Sequence, residues 1–357
     1  MTNKVTRIGI DIGKNTFHLF GVDETGQPLL RKRLRRTQLL AFLANIEPCL
    51  IGLEACSGSH YWARQITVHG HDVRLISPQF VKPYVKSNKN DYNDAEAICE
   101  AVGRPTMRFV GVKSVEQQDV QALHRIRQGI IKARTAQANQ IRGFLTEYGI
   151  VIPEGINYLR RRLPEILEDA ENGLTARFRQ WLSELYEALC ALDERIQRYT
   201  QEIMTLYHAD EACQRIGAIE GVGPHTATAL VSAYGQAREF RTGRQFAASL
   251  GLVPRQHSTG GKPRLLGISK RGDIYLRTLL IHGARSVVRR APNKTDARSR
   301  WIQRLVTERG TNRAVVALAN KNARIVWALL SRGDQYRAAA SENEWPGRLN
   351  ESVSPAT

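Results

Sequence analysis

The stretch Arg7-Ile8-Gly9-Ile10-Asp11-Ile12-Gly13 places a carboxylate inside an apolar run that is typical of a β-strand. A second such run, Cys49-Leu50-Ile51-Gly52-Leu53-Glu54, ends on another acid. Burying a charged, unpaired carboxylate costs roughly several kcal/mol, so these two acids call for a compensating partner. Asp91 and Asp94 follow, three residues apart on one face of a predicted helix. Four such oxygen ligands predict a site for a divalent cation, Mg²⁺ or Mn²⁺.

The composition indicates the kind of partner. The chain has 357 residues, a net charge of +18 and a pI near 10.0, which favours an acidic polymer, nucleic acid first. The apolar runs are far shorter than the roughly 20 residues of a membrane span, and the N-terminus lacks the apolar segment of a signal peptide. Five scattered cysteines without a Cys-x-x-Cys pair fit a reducing compartment. We therefore expect a cytoplasmic protein that binds nucleic acid and has no membrane partner. For the positive charge, a highly soluble basic enzyme without such a partner is the alternative.

The order of elements in the first 112 residues predicts the fold. Three strands joined by turns precede an alternation of helices and strands, which is the order of the ribonuclease H-like fold. In that fold the first and fourth strands are neighbours, so Asp11 and Glu54 are expected to meet at the centre of the sheet. The predicted elements are strands at Ile8–Ile12, Thr16–Val22, Leu29–Leu34, Cys49–Glu54, Val73–Ser77 and Met107–Val112, and helices at Gln38–Ile46, His60–His69 and from Asp91 onward.

The middle of the chain is predicted to be helical. Residues 115–150 form a basic helix with a partial apolar stripe, and prolines and glycines then interrupt the chain at Pro153, Gly155, Pro164 and Gly173. A heptad seam follows, which predicts a coiled coil, either between subunits or as a hairpin. A long helix packed inside one subunit is the alternative. The seam consists of Phe178, Leu182, Leu185, Leu189, Leu192, Ile196, Tyr199, Ile203 and Leu206.

A glycine-rich turn opens the C-terminal region. The sequence Gly221-Val222-Gly223-Pro224 resembles a helix–hairpin–helix element, in which glycines let backbone N–H groups approach a phosphate. Gly221 and Gly223 are therefore candidate DNA contacts that would position the backbone without reading sequence. An ordinary Gly-Pro turn before a buried helix is the alternative.

A strongly basic segment follows this turn. Its sequence Ser258-Thr259-Gly260-Gly261-Lys262 sets hydroxyls beside paired glycines and a cation, which leaves room and positive potential for a phosphate. We expect Thr259, Gly260, Gly261 and Lys262 to contact nucleic acid, as well as Lys270, Arg271 and Arg277 in the next basic turn and helix. Taken alone, Ser258 is more typical of a loop serine than of a nucleophile.

In combination, these motifs resemble those of the DEDD transposases of the insertion-sequence 110 family, most closely the subgroup with a Ser-Thr-Gly-Gly-Lys motif. The matching residues are Asp11, Glu54, Asp91, Asp94, Gly221–Pro224 and Ser258–Lys262, within a resemblance that spans residues 5–335. The resemblance implies three regions: a RuvC-like nuclease domain at 1–112, a coiled-coil region at 113–212 and a mostly helical transposase domain at 213–335. The polar composition of residues 336–357 predicts a disordered tail.

The resemblance also implies roles and partners. The four acids would bind Mg²⁺, and Ser258 would be the nucleophile that attacks DNA, with Ser249 and Ser269 as lesser candidates. A non-coding RNA encoded beside the gene would guide the enzyme by pairing with donor and target DNA. Strand exchange needs several active sites, so we expect a homodimer that assembles to a tetramer.

Three other functions remain open at this point. A metal-only nuclease resembling Holliday-junction resolvases would use water as its nucleophile and leave Ser258 structural. A sugar-kinase or actin-like ATPase is suggested by Ile10–Lys14, but a second Asp-x-Gly phosphate loop is not found in the sequence. A non-catalytic nucleic-acid scaffold would explain the net charge but not Asp11 and Glu54.

Overall fold

The structure is a computed structural model that describes residues 4–86, 90–260, 262 and 264–337. Its contacts divide the chain into two compact units, residues 1–115 and 116–357. Within the described residues, no helix is both long and apolar enough to cross a membrane.

The first unit is built on a six-stranded mixed sheet with the order β3-β2-β1-β4-β5-β6. β1 pairs antiparallel with β2 and parallel with β4, so the first and fourth strands are neighbours, as expected. This arrangement is consistent with the ribonuclease H-like fold. The strands are β1 Arg7–Ile12, β2 Thr16–Val22, β3 Pro28–Arg35, β4 Leu50–Glu54, β5 Asp72–Ile76 and β6 Phe109–Val110; the helices are α1 Leu39–Leu43, α2 Ser59–Thr67, α3 Pro78–Val81 and α4 Asp91–Val102.

The two faces of this sheet pack against different helices. Alternating strand residues such as Ile8, Ile10 and Leu53 are fully buried in a core that also contains Trp62 of α2. On the opposite face, β1 carries Gly9 and Asp11, and α4 packs there. Asp11 is therefore on the α4 side of the sheet.

The second unit is mostly helical. Its helices are α5 Val115–Glu147 (whose first residue belongs to the first unit), α6 Ile156–Glu168, α7 Ala176–Ala209, α8 Glu211–Gly217, α9 Pro224–Tyr234, α10 Gly243–Ser249, α11 Ile274–Arg290, α12 Ala297–Arg309 and α13 Thr311–Arg332; a small hairpin is formed by β7 Pro254–Gln256 and β8 Leu265–Ile268. Helices α8 to α13 share one hydrophobic core.

Helices α5 and α7 form an antiparallel hairpin within the chain. Arg127 Nε donates to Thr200 Oγ1 (2.8 Å), and Arg134 Nη1 donates to Asp193 Oδ1 (3.2 Å). Residue numbers therefore decrease along α7 as they increase along α5, which means that the two helices run in opposite directions. Buried residues on the predicted seam include Leu182 of α7, which packs with α5 and α6.

The expectation that Pro164 interrupts the chain is wrong. Helix α6 runs through it, with Leu159, Leu163 and Ile166 buried against α5 and α7. A proline inside a helix costs about 3 kcal/mol. Burying three large aliphatic side chains stabilises by about 1.5–3 kcal/mol each, which outweighs that cost.

Candidate functional site

Asp11 and Glu54 lie side by side at the ends of two parallel strands. The register pairs Ile10 with Leu53, and each acid is the next residue in its strand. Both side chains are half-buried. Two neighbouring carboxylates repel each other when both are charged, and a bound cation would relieve that repulsion.

Glycines bring α4 against the sheet beneath these acids. A Cβ atom on Gly9 would lie 2.1 Å from the Ala95 carbonyl oxygen, and one on Gly52 would lie 2.8 Å from Val102 Cβ. No side chain other than hydrogen fits at either position. Both glycines stand two residues before an acid, in Gly9-Ile10-Asp11 and Gly52-Leu53-Glu54. This repeated spacing was a sequence signal that the motif analysis missed.

The direction of α4 places its acidic end toward Asp11. The Cys99 thiol donates to Arg7 O (3.7 Å) near the start of β1, whereas Ala95 lies against Gly9. The helix therefore runs antiparallel to β1. Its first turn, which carries Asp91 and Asp94, is at the end of β1 where Asp11 stands.

His18 is a further residue near the acids that the sequence motifs did not indicate. It is the cross-strand partner of Asp11, and its side chain is almost fully buried. Its Nδ1 atom lies 3.6 Å from Asp91 Oδ2, and its ring packs edge-on against Tyr92. His18 thus connects the strand that faces Asp11 to the first turn of α4.

The charge of the two strand acids is felt by a neighbouring thiol. Partial burial, and after it the negative charges of Glu54 and Asp11, raise the pKa of Cys56.

The acids match Mg²⁺ in donor type but are not gathered around a single point. Across the residues that the structure describes, no three His, Cys, Asp or Glu side chains form a group that could hold a metal ion as they stand. Their chemistry nevertheless fits a hard cation, since carboxylate oxygens are its preferred ligands and the four acids stand at two neighbouring strand ends and one helix start.

Ser258 lies on an exposed hairpin in the second unit. Strands β7 and β8 flank it, and Gln256 Nε2 donates to its Oγ (2.8 Å). Because Oγ acts there as an acceptor, its own proton remains available for donation. Arg255 and Arg264 are exposed on the same hairpin. The hydroxyl is therefore accessible and surrounded by positive charge.

The tip of this hairpin is a tight turn. Thr259 and Lys262 pair across it, with Lys262 N donating to Thr259 O (3.2 Å). Gly260 has φ +59°, a backbone conformation that favours glycine. Thr259, Gly260 and Lys262 are all exposed, as a phosphate contact requires, and Gly261 lies outside the described residues.

The basic residues of the next loop and helix differ in their surroundings. Lys270 and Arg271 are exposed, and Lys270 adopts φ +55°. Arg277 is buried, and its Nη1 atom donates to the carbonyl oxygens of Leu250 (3.1 Å) and Arg271 (3.0 Å). We therefore withdraw Arg277 as a DNA contact, because its guanidinium is committed to holding the loop.

The two lesser serine candidates are engaged locally. Ser249 Oγ donates to Phe246 O (2.8 Å), as a helical serine commonly does. Ser269 Oγ accepts from Arg271 N (3.4 Å) within the basic loop. Of the three serines, Ser258 is the fully exposed one.

The glycine turn lies between α8 and α9, as in a helix–hairpin–helix. Gly221 has φ +89°, and a Cβ atom on Gly283 of α11 would lie 1.9 Å from Gly221 O. This backbone contact leaves a pocket of about 490 Å³ beside the turn, which is also lined by Gly223, Arg290 and Lys294. The Glu220 carboxylate also lines this pocket and pairs with Lys294, so the Arg290 side chain and the glycine backbone are the groups there that suit a phosphate.

Comparisons with known proteins agree with these observations. A family model described as "Transposase IS116/IS110/IS902 family" matches residues 213–300, and the model of the IS110-type DEDD transposases, described as "Transposase", matches residues 8–150.

Three relatives match over almost their whole length. A probable family 20 transposase of Pseudomonas aeruginosa is 53% identical, over 93% of this chain and 99% of its own. The transposase for insertion sequence element IS1111A of Coxiella burnetii is 50% identical, over 93% and 92%. The transposase for element IS1328 of Yersinia enterocolitica is 44% identical, over 93% and 98%. The chain therefore belongs to the IS110 family of DEDD transposases, enzymes that recombine the DNA of insertion sequences.

Proposed function

We propose that this transposase cuts and rejoins DNA with a serine nucleophile and a divalent metal, as in the Ser-Thr-Gly-Gly-Lys subgroup of the family. The observation that carries the proposal is the position of Asp11 and Glu54 at adjacent strand ends, on the face where α4 begins with Asp91 and Asp94. A sheet has no structural need for two neighbouring carboxylates on a packed face.

Asp11, Glu54, Asp91 and Asp94 would hold the metal, Mg²⁺ or Mn²⁺. A bound Mg²⁺ would polarise the scissile phosphate and favour deprotonation of the attacking hydroxyl. The strands fix two of the acids, and the contacts of Gly9 with α4 fix the helix that carries the other two. His18, close to Asp91, would orient that carboxylate.

Ser258 Oγ would attack the phosphorus atom. The bond from Oγ to phosphorus forms as the bond from phosphorus to a DNA sugar oxygen breaks, and the departing sugar hydroxyl receives a proton. One phosphodiester replaces another, so a free DNA hydroxyl can reverse the step and join a new strand without an external energy source.

Nucleic-acid contacts would come from exposed basic residues of the second unit. We propose that Lys262, Lys270 and Arg271 contact the DNA near the serine, and that Gly221, Gly223 and Arg290 bind a backbone phosphate. A non-coding guide RNA would select the DNA sequence, and a homodimer assembling to a tetramer would supply paired active sites. The net charge of +18 supports binding of two kinds of nucleic acid.

A denaturing gel tests the chemistry. Purified protein, RNA transcribed from the DNA flanking its gene, element-end DNA and Mg²⁺ are incubated, and the products are examined for protein bound covalently to DNA. We expect an adduct that disappears in Ser258→Ala and in Asp11→Asn and persists in Ser249→Ala, whose hydroxyl is bonded within its helix. An adduct that survives Ser258→Ala would exclude this serine as nucleophile.

The alternative, a metal-only nuclease, uses the same acids. It predicts that DNA is cleaved without any covalent adduct. It also predicts that the Ser258→Ala variant cleaves DNA as well as the unchanged protein does. The exposure of Ser258 and the cations around it favour the serine mechanism, since a purely structural serine needs neither.

A further inference from the structure

Two buried polar side chains converge on one backbone carbonyl of the glycine turn. Arg298 Nη2 of α12 donates to Glu220 O (2.8 Å), and Asn322 Nδ2 of α13 donates to the same oxygen (3.1 Å). Arg298 Nη2 also donates to Asn322 Oδ1 (3.0 Å), which closes a three-membered network. A carbonyl oxygen has two lone pairs, so both acceptor positions of Glu220 O are filled.

Stability alone does not explain this pair, which we call the turn clamp. Arg298 is 5% exposed and Asn322 is fully buried. Burying a guanidinium costs several kcal/mol, and an apolar pair of similar size is often as stable or more so. What the turn clamp supplies instead is a fixed position for Glu220 O, directly before the left-handed residue Gly221.

The other side of the turn is fixed as well. Gly221 lies against Gly283 of α11, and Lys294 Nζ pairs with the Glu220 carboxylate at 2.5 Å. The turn thus touches α11, α12 and α13, and the pocket beside it is lined by the turn, by α11 and by Lys294. A binding site held this rigidly loses little conformational entropy when its ligand arrives.

We propose that Arg298 and Asn322 are positioning residues that hold the turn Glu220–Gly223 in the conformation that receives a DNA phosphate. The inference rests on the proposed contact between this turn and DNA. Neither residue needs to touch the DNA, because both act through the Glu220 carbonyl.

The test measures how DNA binding depends on salt. The full chain and its variants bind a short labelled duplex without Mg²⁺ or RNA over a range of salt concentrations. Each phosphate that a Lys or Arg side chain neutralises contributes about 0.9 to the slope of log K against log salt concentration. The turn would hold its phosphate beside Arg290, so displacement of the turn would also release that phosphate from the Arg290 charge. For Asn322→Leu, which leaves the net charge unchanged, we expect a slope smaller by about 0.9 and an affinity about fivefold lower near 0.15 M salt.

Val326→Ala is the control for lost stability. Val326 is fully buried one turn further along α13, away from Glu220. We expect this variant to have a lower melting temperature and an unchanged salt slope, measured where circular dichroism shows each variant folded. An unchanged slope for folded Asn322→Leu overturns the inference.

A second variant covers the case in which Asn322→Leu does not fold. Asn322→Asp keeps the shape and the acceptor for Arg298 but cannot donate to Glu220 O. Arg289→Gln, an exposed neighbour outside the pocket lining, loses the same single charge and is its control. We expect Asn322→Asp to reduce the slope more than Arg289→Gln does, and equal slopes overturn the inference.

Arg290→Gln separates this inference from the proposed DNA contact. If it reduces the slope no more than Arg289→Gln, the turn does not bind DNA and that contact fails. If Arg290→Gln reduces the slope more than Arg289→Gln does, but the variants of Asn322 leave the slope at its control value, the turn binds DNA and only the role of the turn clamp is wrong.

Discussion

The backbone of Gly9 lies directly against Ala95, so that a Cβ atom on Gly9 would come within 2.1 Å of the Ala95 carbonyl oxygen. This contact sets the distance between β1, which carries Asp11, and α4, which begins with Asp91 and Asp94. The absence of a side chain at Gly9 therefore controls where the candidate metal ligands stand.

Gly9→Ala is expected to displace α4 and abolish DNA cleavage. Overpacking of this kind costs about 1–3 kcal/mol of unfolding free energy, measured by urea denaturation. Gly129→Ala is the control, since that helical glycine has open space around it and alanine there should stabilise by about 0.5–1 kcal/mol. Full cleavage activity in Gly9→Ala would show that α4 does not position the acids.

Arg271 and Arg277 are expected to respond oppositely to substitution. Arg277→Met removes the guanidinium donor from the buried carbonyl of Leu250 and from the carbonyl of Arg271, which should lower the unfolding free energy by about 1–3 kcal/mol. Arg271→Gln should leave stability unchanged and reduce the salt slope of DNA binding by about 0.9. Thermal melts and binding titrations on both variants distinguish a structural arginine from a contact arginine.

His124 should make the second unit sensitive to acid. It is buried between Tyr275 and Thr228, and burial lowers the pKa of His124 to about 4. The unfolded chain, with a pKa near 6.5, binds a proton that the folded chain does not. The unfolding free energy should therefore fall by up to about 3 kcal/mol as the pH drops from 6.5 to 4.

His124→Gln is the variant that isolates this effect. Glutamine can still hydrogen-bond to Tyr275 or Thr228 but does not titrate. We expect its unfolding free energy to decline less steeply between pH 6.5 and 4, as measured by urea denaturation at several pH values. Parallel profiles for the two proteins would contradict the assignment.

Lys321 should destabilise the protein at neutral and lower pH. Burial, and then the charges of Arg298 and Arg324, lower the pKa of Lys321 to about 7. Because the unfolded pKa is near 10.5, stability should rise with pH between 7 and 10.5. Lys321→Met should be more stable than the unchanged protein at pH 6, on the order of 2 kcal/mol, with a gap that narrows toward pH 10. The cation–π contact of Lys321 with Trp301 offsets part of that gain. A gap that stays constant with pH would contradict this account.

Much of the architecture could be predicted because it depends on local pattern. The alternation around Asp11 and Glu54 predicts two strands, and the order of elements predicts that these strands are neighbours, as β1 and β4 are. The spacing of Asp91 and Asp94 predicts a helix start, and α4 begins at Asp91. Periodicity and chain order are properties that a sequence displays directly.

Other features depended on contacts between residues far apart in the chain. Arg277 looks like any other arginine of a basic segment until the fold turns its guanidinium toward Leu250 and Arg271. Pro164 reads as a helix breaker, but packing of α6 against α5 and α7 overrides that preference.

The sequence by itself determined the strand order, the placement of the acids and the basic character of the second unit, because periodicity and charge are local. Only the tertiary structure decided that His18 stands beside Asp91 and that Arg298 and Asn322 meet at Glu220 O. Those arrangements join residues up to 102 positions apart, and a hydrogen bond forms only where folding brings donor and acceptor within about 3 Å.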